Sequence, residues 1–536
     1  MKLRNLITAV ALTAAVTLPA TAATQNGKGI DNPMTQAVLR IYDRQLEADS
    51  TDWETWMGRA REYYIHSEYL RALNDINHAL RHIPADKKAE RDDALSLRAN
   101  IYLQTDLLPQ AITDLDAIIS ADPDNYVAIY QRANAKLQSE NYQGASEDYR
   151  RLQRLNPRSA EALVGLARIA VKENNLGIAN QLLDQAVELD PNNSEYYVRR
   201  ASVRKSMGMH REAVDDLILA LSTDSRSATA TKALVEYGNT NYATVIAALT
   251  SAMQQAPRVG MFVYLRGVIA QAHYHYKDAL ADFQKIIDER LYDYNGIYAS
   301  IAECQLALGR YQEALENIDH AIGMDNNKAD HLIVKSQILR ALDRPAEAFN
   351  IALQASVMHG GRNDAVVEMG LCRAAEGKWE EASTLFGEAQ LESPEDPVII
   401  MLRAWCLADH LNKPKAAEGF YNQVLQVEGY ADTDVLSLRG FAMLKLGRET
   451  EAKAWMKNIL DNVADPDGFI NYMAVTFYAN CNMPDEALEC MRRSLEAGYA
   501  NYYDWTRNAS GAFTTAPLRD SLTYLSLLKR FDSLFN

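Results

Sequence analysis

Cysteine is scarce in this chain of 536 residues: five are present, and an odd number leaves at least one thiol without an intramolecular partner. Glycine and proline are thin too, at 25 and 15 residues, and no Ser/Gly/Pro-rich stretch interrupts the chain. That argues against disorder and against a string of independent domains. Beyond the first residues no run of about 18 apolar residues occurs, so no membrane span is expected. Positive charge is outnumbered, 55 Lys and Arg against 71 Asp and Glu, for a net charge of −16. Nucleic acid is therefore not expected as a partner, because phosphate binding needs a basic footprint. Also missing are GxSxG, a Walker A loop, a dinucleotide fingerprint, HExxH and any Cys/His metal signature. No enzyme, cofactor or metal is expected.

The chain opens with Lys2 and Arg4, an apolar run from Leu6 to Leu18, and Ala20-Thr21-Ala22 as a small-residue cleavage site. Residues 1–22 read as a secretory signal peptide, with no nearby cysteine to carry a lipid. The mature protein is expected to be exported, to the periplasm or beyond the cell, and its acidity suits solubility there.

A fixed period governs the rest. AITDLDAIISADP ends at Pro123, ASEDYRRLQRLNP at Pro157 and ANQLLDQAVELDP at Pro191, an interval of 34 residues each time. Ala99, Ala133, Ala167 and Ala201 keep the same step. Small residues at this spacing let two helices approach closely, and a period of this length marks a repeat array in which each unit buries its face on its neighbours.

The pattern resembles the tetratricopeptide repeat family, whose units are two antiparallel helices with small residues at their crossing and Pro after the second. The first repeat carries Trp56, Ala60, Tyr63, Ala72, Ile76, Ala79 and Pro84 at the family's positions 4, 8, 11, 20, 24, 27 and 32. The resemblance implies an all-α, right-handed superhelical solenoid of about thirteen helix-turn-helix repeats. In that reading residues 23–51 form an N-terminal half-repeat cap, with Ala37 and Ile41 at positions 20 and 24. Repeats one to five fill 52–227, a shortened sixth with Val245 in place of Ala fills 228–258, and repeats seven to thirteen fill 259–498. Residues 499–536 resemble a closing segment, expected to lie on the last repeat.

Two columns of residues recur. Position 7 holds Arg59, Arg98, Arg132, Arg200 and Arg266, and position 23 of the same repeats holds Asp75, Asp114, Asp148, Asp216 and Asp282. Repeats four and ten lack both and place Leu166 with Leu182 and Met369 with Leu385. Exchange of an ion pair for an apolar pair predicts that positions 7 and 23 touch. Arg403 and Arg439 have no aspartate in register and are expected to be freer.

The resemblance further implies that positions 2, 5, 9, 12 and 13 line a concave groove for an extended peptide. Its first half is polar and basic: Asn100, Asn134 and Arg168 at position 9, with Tyr130, Lys172 and Lys205 beside them. Asn can bond a peptide backbone in both senses, and Arg or Lys can hold a carboxylate. The family's clamp of Lys and Asn across three successive repeats is not reproduced. The second half is apolar, with Met401, Trp405, Phe441, Tyr472 and Met473 suited to an amphipathic segment unless the superhelix or the closing segment covers them.

Other candidates read as packing. Cys304, Cys372 and Cys406 share one repeat position, too far apart for disulfides across stacked helices. His78 and His82 lack a third ligand, and His273 and His275 lie in a turn among tyrosines. The function implied is a non-enzymatic scaffold or adaptor of the cell envelope that binds a protein or peptide on its concave face. A regulatory subunit acting through the convex face is the alternative, and a glycan-acting enzyme a more remote one. Partner identity and oligomeric state are not written in the sequence.

Overall fold

The computed structural model describes residues 32–292, 296–358, 362–427, 433–508 and 514–536. The expected signal peptide lies outside them. Among the described residues there are twenty-nine α-helices and no strand. From Trp53–Ile65 with Tyr69–His82 to Phe469–Asn480 with Pro484–Glu496, successive helices on either side of repeat six pack as hairpins, giving an all-α solenoid of about thirteen repeats. The chain divides into two compact bodies, one within residues 19–234 and one within 235–536, and the division falls inside helix Ala228–Gly238 of repeat six.

One backbone device makes nearly every hairpin. Ser67, Asp106, Glu140, Asn174, Gly208, Tyr274, Gly309, Asp343, Gly377, Gly447 and Asn482 all fall at position 15, with φ between 54 and 81°. A left-handed residue there ends the first helix and returns an amide to a carbonyl five residues back, as Leu107 N–H does to Tyr102 at 2.8 Å. In repeat eleven a π-helical turn, Cys406–His410, adds one residue and moves the left-handed position to Asn412. Repeat six has no left-handed residue among those described. Several first helices start on side-chain caps, with Asp52, Asn125 and Ser159 each accepting from backbone N–H groups within the first turn.

Packing follows the small residues. Ala60, Ala72, Ala133 and Ala145 are fully buried at the helix crossings, and Ile76 and Tyr149 fill the space beside them. Successive repeats meet just as closely: a Cβ on Gly165 would lie 2.3 Å from the Tyr149 ring of the preceding repeat.

The same contact fixes the register of the N-terminal helix Pro33–Ala48. Tyr42 lies over Gly58 as Tyr149 lies over Gly165, and Asp43 bonds Arg59 as Asp116 bonds Arg132. Tyr42 therefore holds position 24. The expected Ala37 and Ile41 are both exposed, one residue out of register, while Leu39 and Leu46 are buried.

Within the C-terminal body the closing segment reaches well beyond the last repeat. Arg507 bonds Asp343 at 2.6 Å, the Tyr503 hydroxyl accepts from Arg340 at 2.7 Å, and Lys277 donates to the Ser533 carbonyl at 3.3 Å. Tyr274, at the turn of repeat seven, stacks on Phe469 of repeat thirteen at 5.5 Å and meets Tyr499 at 4.7 Å. The segment thus ties the turns of repeats seven to nine to repeat thirteen.

Candidate functional site

Five position-7 arginines grip aspartate. Arg59, Arg98, Arg132 and Arg266 each make two-pronged bonds of 2.6 to 2.9 Å to Asp75, Asp114, Asp148 and Asp282. Arg200 does the same to Asp216, at 2.6 to 3.2 Å. Each also reaches back to the second helix before it: Arg59 to Asp43, Arg98 to Asn77, Arg132 to Asp116, Arg200 to Asp184 and Arg266 to Thr250. One guanidinium therefore binds three helices, a use suited to its planar fork. Lys136 and Arg204 add second cations to Asp148 and Asp216. Burial pushes the Asp216 carboxyl up from its ordinary range, with the bond from Arg200 opposing it. Arg403 and Arg439 are engaged as well, the first by Gln390 and the Phe420 ring, the second by the Val427 carbonyl.

Of the expected polar groove residues, the two asparagines are largely occupied by their neighbours. Asn100 Oδ1 accepts from Gln131 at 2.7 Å. Asn134 Oδ1 accepts from the Tyr149 hydroxyl at 2.8 Å and from Arg168 Nη1 at 3.1 Å, while its amide donates to the Tyr130 carbonyl. They tie adjacent repeats together. The bond to Asn134 holds the Arg168 guanidinium at the wall.

Two clefts open on either side of Arg168 in the N-terminal body. The first, of about 160 Å³, gathers Tyr130, Asn134, Tyr149 and Tyr196 around the Gly165 backbone, with Glu161 and Glu195 at its edge. The second, of about 210 Å³, is aliphatic, lined by Val171, Leu176, Leu183 and Val203 and rimmed by Lys172. Val164, Arg168 and Arg199 face both. Tyr130, Asn134, Arg168 and Lys172 are thus brought together, whereas Lys205 is exposed on the next first helix, Ser194–Ser206. The aliphatic cleft was not foreseen. Leu176 and Leu183 come from the second helix of repeat four, outside the columns that the resemblance assigns to the groove.

The apolar half of the expected groove is closed. Phe441, Tyr472, Met473 and Met401 are at most 3 % exposed and Trp405 is 9 % exposed. Tyr472 stacks on Tyr499 at 4.9 Å and meets Trp505 edge-on at 5.0 Å, both from the closing segment. Phe441 packs on Phe477, and Trp405 on Trp379. These five side chains are core and cannot meet a ligand, because desolvated aromatic surface on a soluble wall is covered where the chain can reach it.

Chemistry is no better served. All five cysteines are free thiols, and burial pushes Cys372 and Cys406 up to about 12, away from reactive thiolate. His78 stacks on Trp56 at 4.5 Å, and His273 sits between the Gly238 carbonyl and Asp467. Among the described residues no three His, Cys, Asp or Glu side chains converge as a metal-holding group, and no helix is long and apolar enough to cross a membrane.

Patterns of the tetratricopeptide repeat family match residues 130–196 and 296–328. Cellulose synthase operon protein C of Pseudomonas fluorescens is 28% identical over 138 residues, covering 26% of this chain and 10% of that protein. The mitochondrial import receptor subunit TOM70 of Homo sapiens is 24% identical over 149 residues, covering 26% of this chain and 24% of its own. The matched stretches thus span a quarter or less of these relatives. A crystal structure of yeast Tom70 aligns with 15% identity over 76% of this chain and 95% of that one, with a TM-score of 0.38.

Proposed function

The chain is a tetratricopeptide repeat protein, and on that premise we propose that it is a non-enzymatic adaptor which holds an extended segment of a partner protein against repeats three to five. The observation that carries this reading is the pair of clefts on either side of Arg168, one aromatic and polar, the other aliphatic. Together they offer backbone bonding, charge and apolar burial in one continuous strip, the combination by which extended peptides are held. The relative named as an import receptor subunit fits a binding role. Export to the cell envelope is part of the proposal and is supported by Lys2, Arg4, the apolar run to Leu18 and Ala20-Thr21-Ala22.

The test is co-purification of the full chain with its bound proteins, identified by mass spectrometry, beside the Arg168→Glu variant. A stoichiometric partner lost from the variant, with helical content unchanged, supports the site. A partner retained in full places it elsewhere, and turnover of glycan or peptide with no partner bound overturns the adaptor reading.

A further inference from the structure

Many cations in the N-terminal body bond carboxylates. Arg132, Arg200, Lys136 and Arg204 bond aspartates, Arg61 pairs with Asp93, and Arg199 pairs with Glu195 at 2.8 Å. Arg168 and Lys172, one turn apart on helix Ala160–Lys172, have no carboxylate partner among the described residues, and both are exposed. They border the aliphatic cleft, beside Val171, which is 41 % exposed. In a chain of net charge −16, two unpaired cations on one face next to unfilled apolar surface form a local reversal of sign.

We infer that the segment bound here is acidic and aliphatic: a carboxylate side chain on the Arg168 guanidinium and an aliphatic side chain two residues away in the Val171–Leu183–Val203 cleft. This rests on the peptide-binding reading above and names the chemistry that the site selects. The spacing follows from an extended chain, whose alternate side chains face one wall about 6.6 Å apart. The carboxylate comes from within the partner chain and not from its C-terminus. Clefts lie on both sides of Arg168, so the bound backbone continues in both directions past the cation. Asn134, bonded to Arg168, holds the guanidinium in place and lowers the ordering cost of capture.

The test is fluorescence anisotropy of the full chain with fluorophore-labelled peptides blocked at both ends, carrying Glu-Ser-Leu, Gln-Ser-Leu, Glu-Ser-Ser or Lys-Ser-Leu cores, beside one with a free C-terminal carboxylate and no internal acid. The Glu-Ser-Leu peptide is expected to bind most tightly, weakening with salt. Replacing its Glu by Gln, or Arg168 by Glu in the protein, is expected to weaken it at least about tenfold, as losing a charge-assisted bond does. The Arg168→Gln variant, with unchanged helical content, shows the loss is of charge and not of fold. Equal or tighter binding of the Lys or Gln core, or of the free-carboxylate peptide, overturns the acidic internal segment while leaving peptide binding intact. If no peptide of any core binds, the peptide-binding reading itself fails.

Discussion

Arg132 and Arg266 sit at the same repeat position but share their aspartates differently. Asp148 is also bonded by Lys136 at 2.9 Å, whereas Arg266 is the one cation on Asp282 among the described contacts. Removing a partner from a buried pair leaves an uncompensated charge, at a cost on the order of 3 kcal/mol. Arg266→Ala is therefore expected to lower the unfolding midpoint in urea more than Arg132→Ala, whose aspartate keeps a cation. Equal losses would show that the second cation contributes nothing. The double variant Arg266→Met with Asp282→Leu, which copies the residues repeat ten uses, is expected to unfold within about 1 kcal/mol of the parent. The pairing itself was legible, because Asp stands 16 residues after each of these arginines and both vanish together in repeats four and ten. The second partner stands 16 residues before Arg59, Arg132, Arg200 and Arg266 as Asp43, Asp116, Asp184 and Thr250. That column was missed because its residue type drifts, and for Arg98 its spacing stretches to 21 at Asn77.

At the level of elements, the crossing of helices Tyr142–Leu155 and Ala160–Lys172 is set by Gly165 under Tyr149. Gly165→Ala puts a methyl where the ring now lies, and pushing the ring aside strains the Tyr149 bond to Asn134. Overpacking of this kind costs about 1–3 kcal/mol. Calorimetry of the variant should show a lowered midpoint, and the peptide affinity of the first cleft should fall with it. The closing segment is the other decisive element. A chain ending at Gly498 would uncover Tyr472 and take from Arg340, the partner of Glu368, the hydroxyl of Tyr503 that accepts from it. It is expected to bind a hydrophobic dye and to lose the cooperativity of its C-terminal body; an unchanged melting curve with no dye bound would show the segment to be ornamental. Hairpin positions were plain in the 34-residue spacing, while the closure was not. Apolar identity at groove positions says that a surface avoids water, but not whether a ligand or the chain's own end covers it. The end that covers it, from Tyr499 onward, carries no repeat period to betray where it docks.

Across the whole molecule, charge and burial make stability depend on pH in the C-terminal body. Burial pushes Glu303 up to about 8 from an ordinary 4.5, against an opposing bond from Gln271 at 2.7 Å. Asp364 and Asp504 are pushed up to about 6, also by burial. The folded state holds these protons more tightly than the unfolded one, so their burial costs least at low pH and stability falls as pH rises through the folded values. Between pH 6 and 9 the midpoint of this body should drop, and Glu303→Gln should remove most of the drop and raise the midpoint at pH 9. A slope unchanged by the substitution would assign it to other groups. The tie between the closing segment and repeats seven to nine bears on timing as well. An array held only by neighbours can fold as it emerges, repeat by repeat. Here Lys277 waits for Ser533 and Arg340 for Tyr503, partners 256 and 163 residues further on. The C-terminal body therefore cannot reach its final state until Ser533 has been synthesised, a delay that an array held by neighbours alone would not impose.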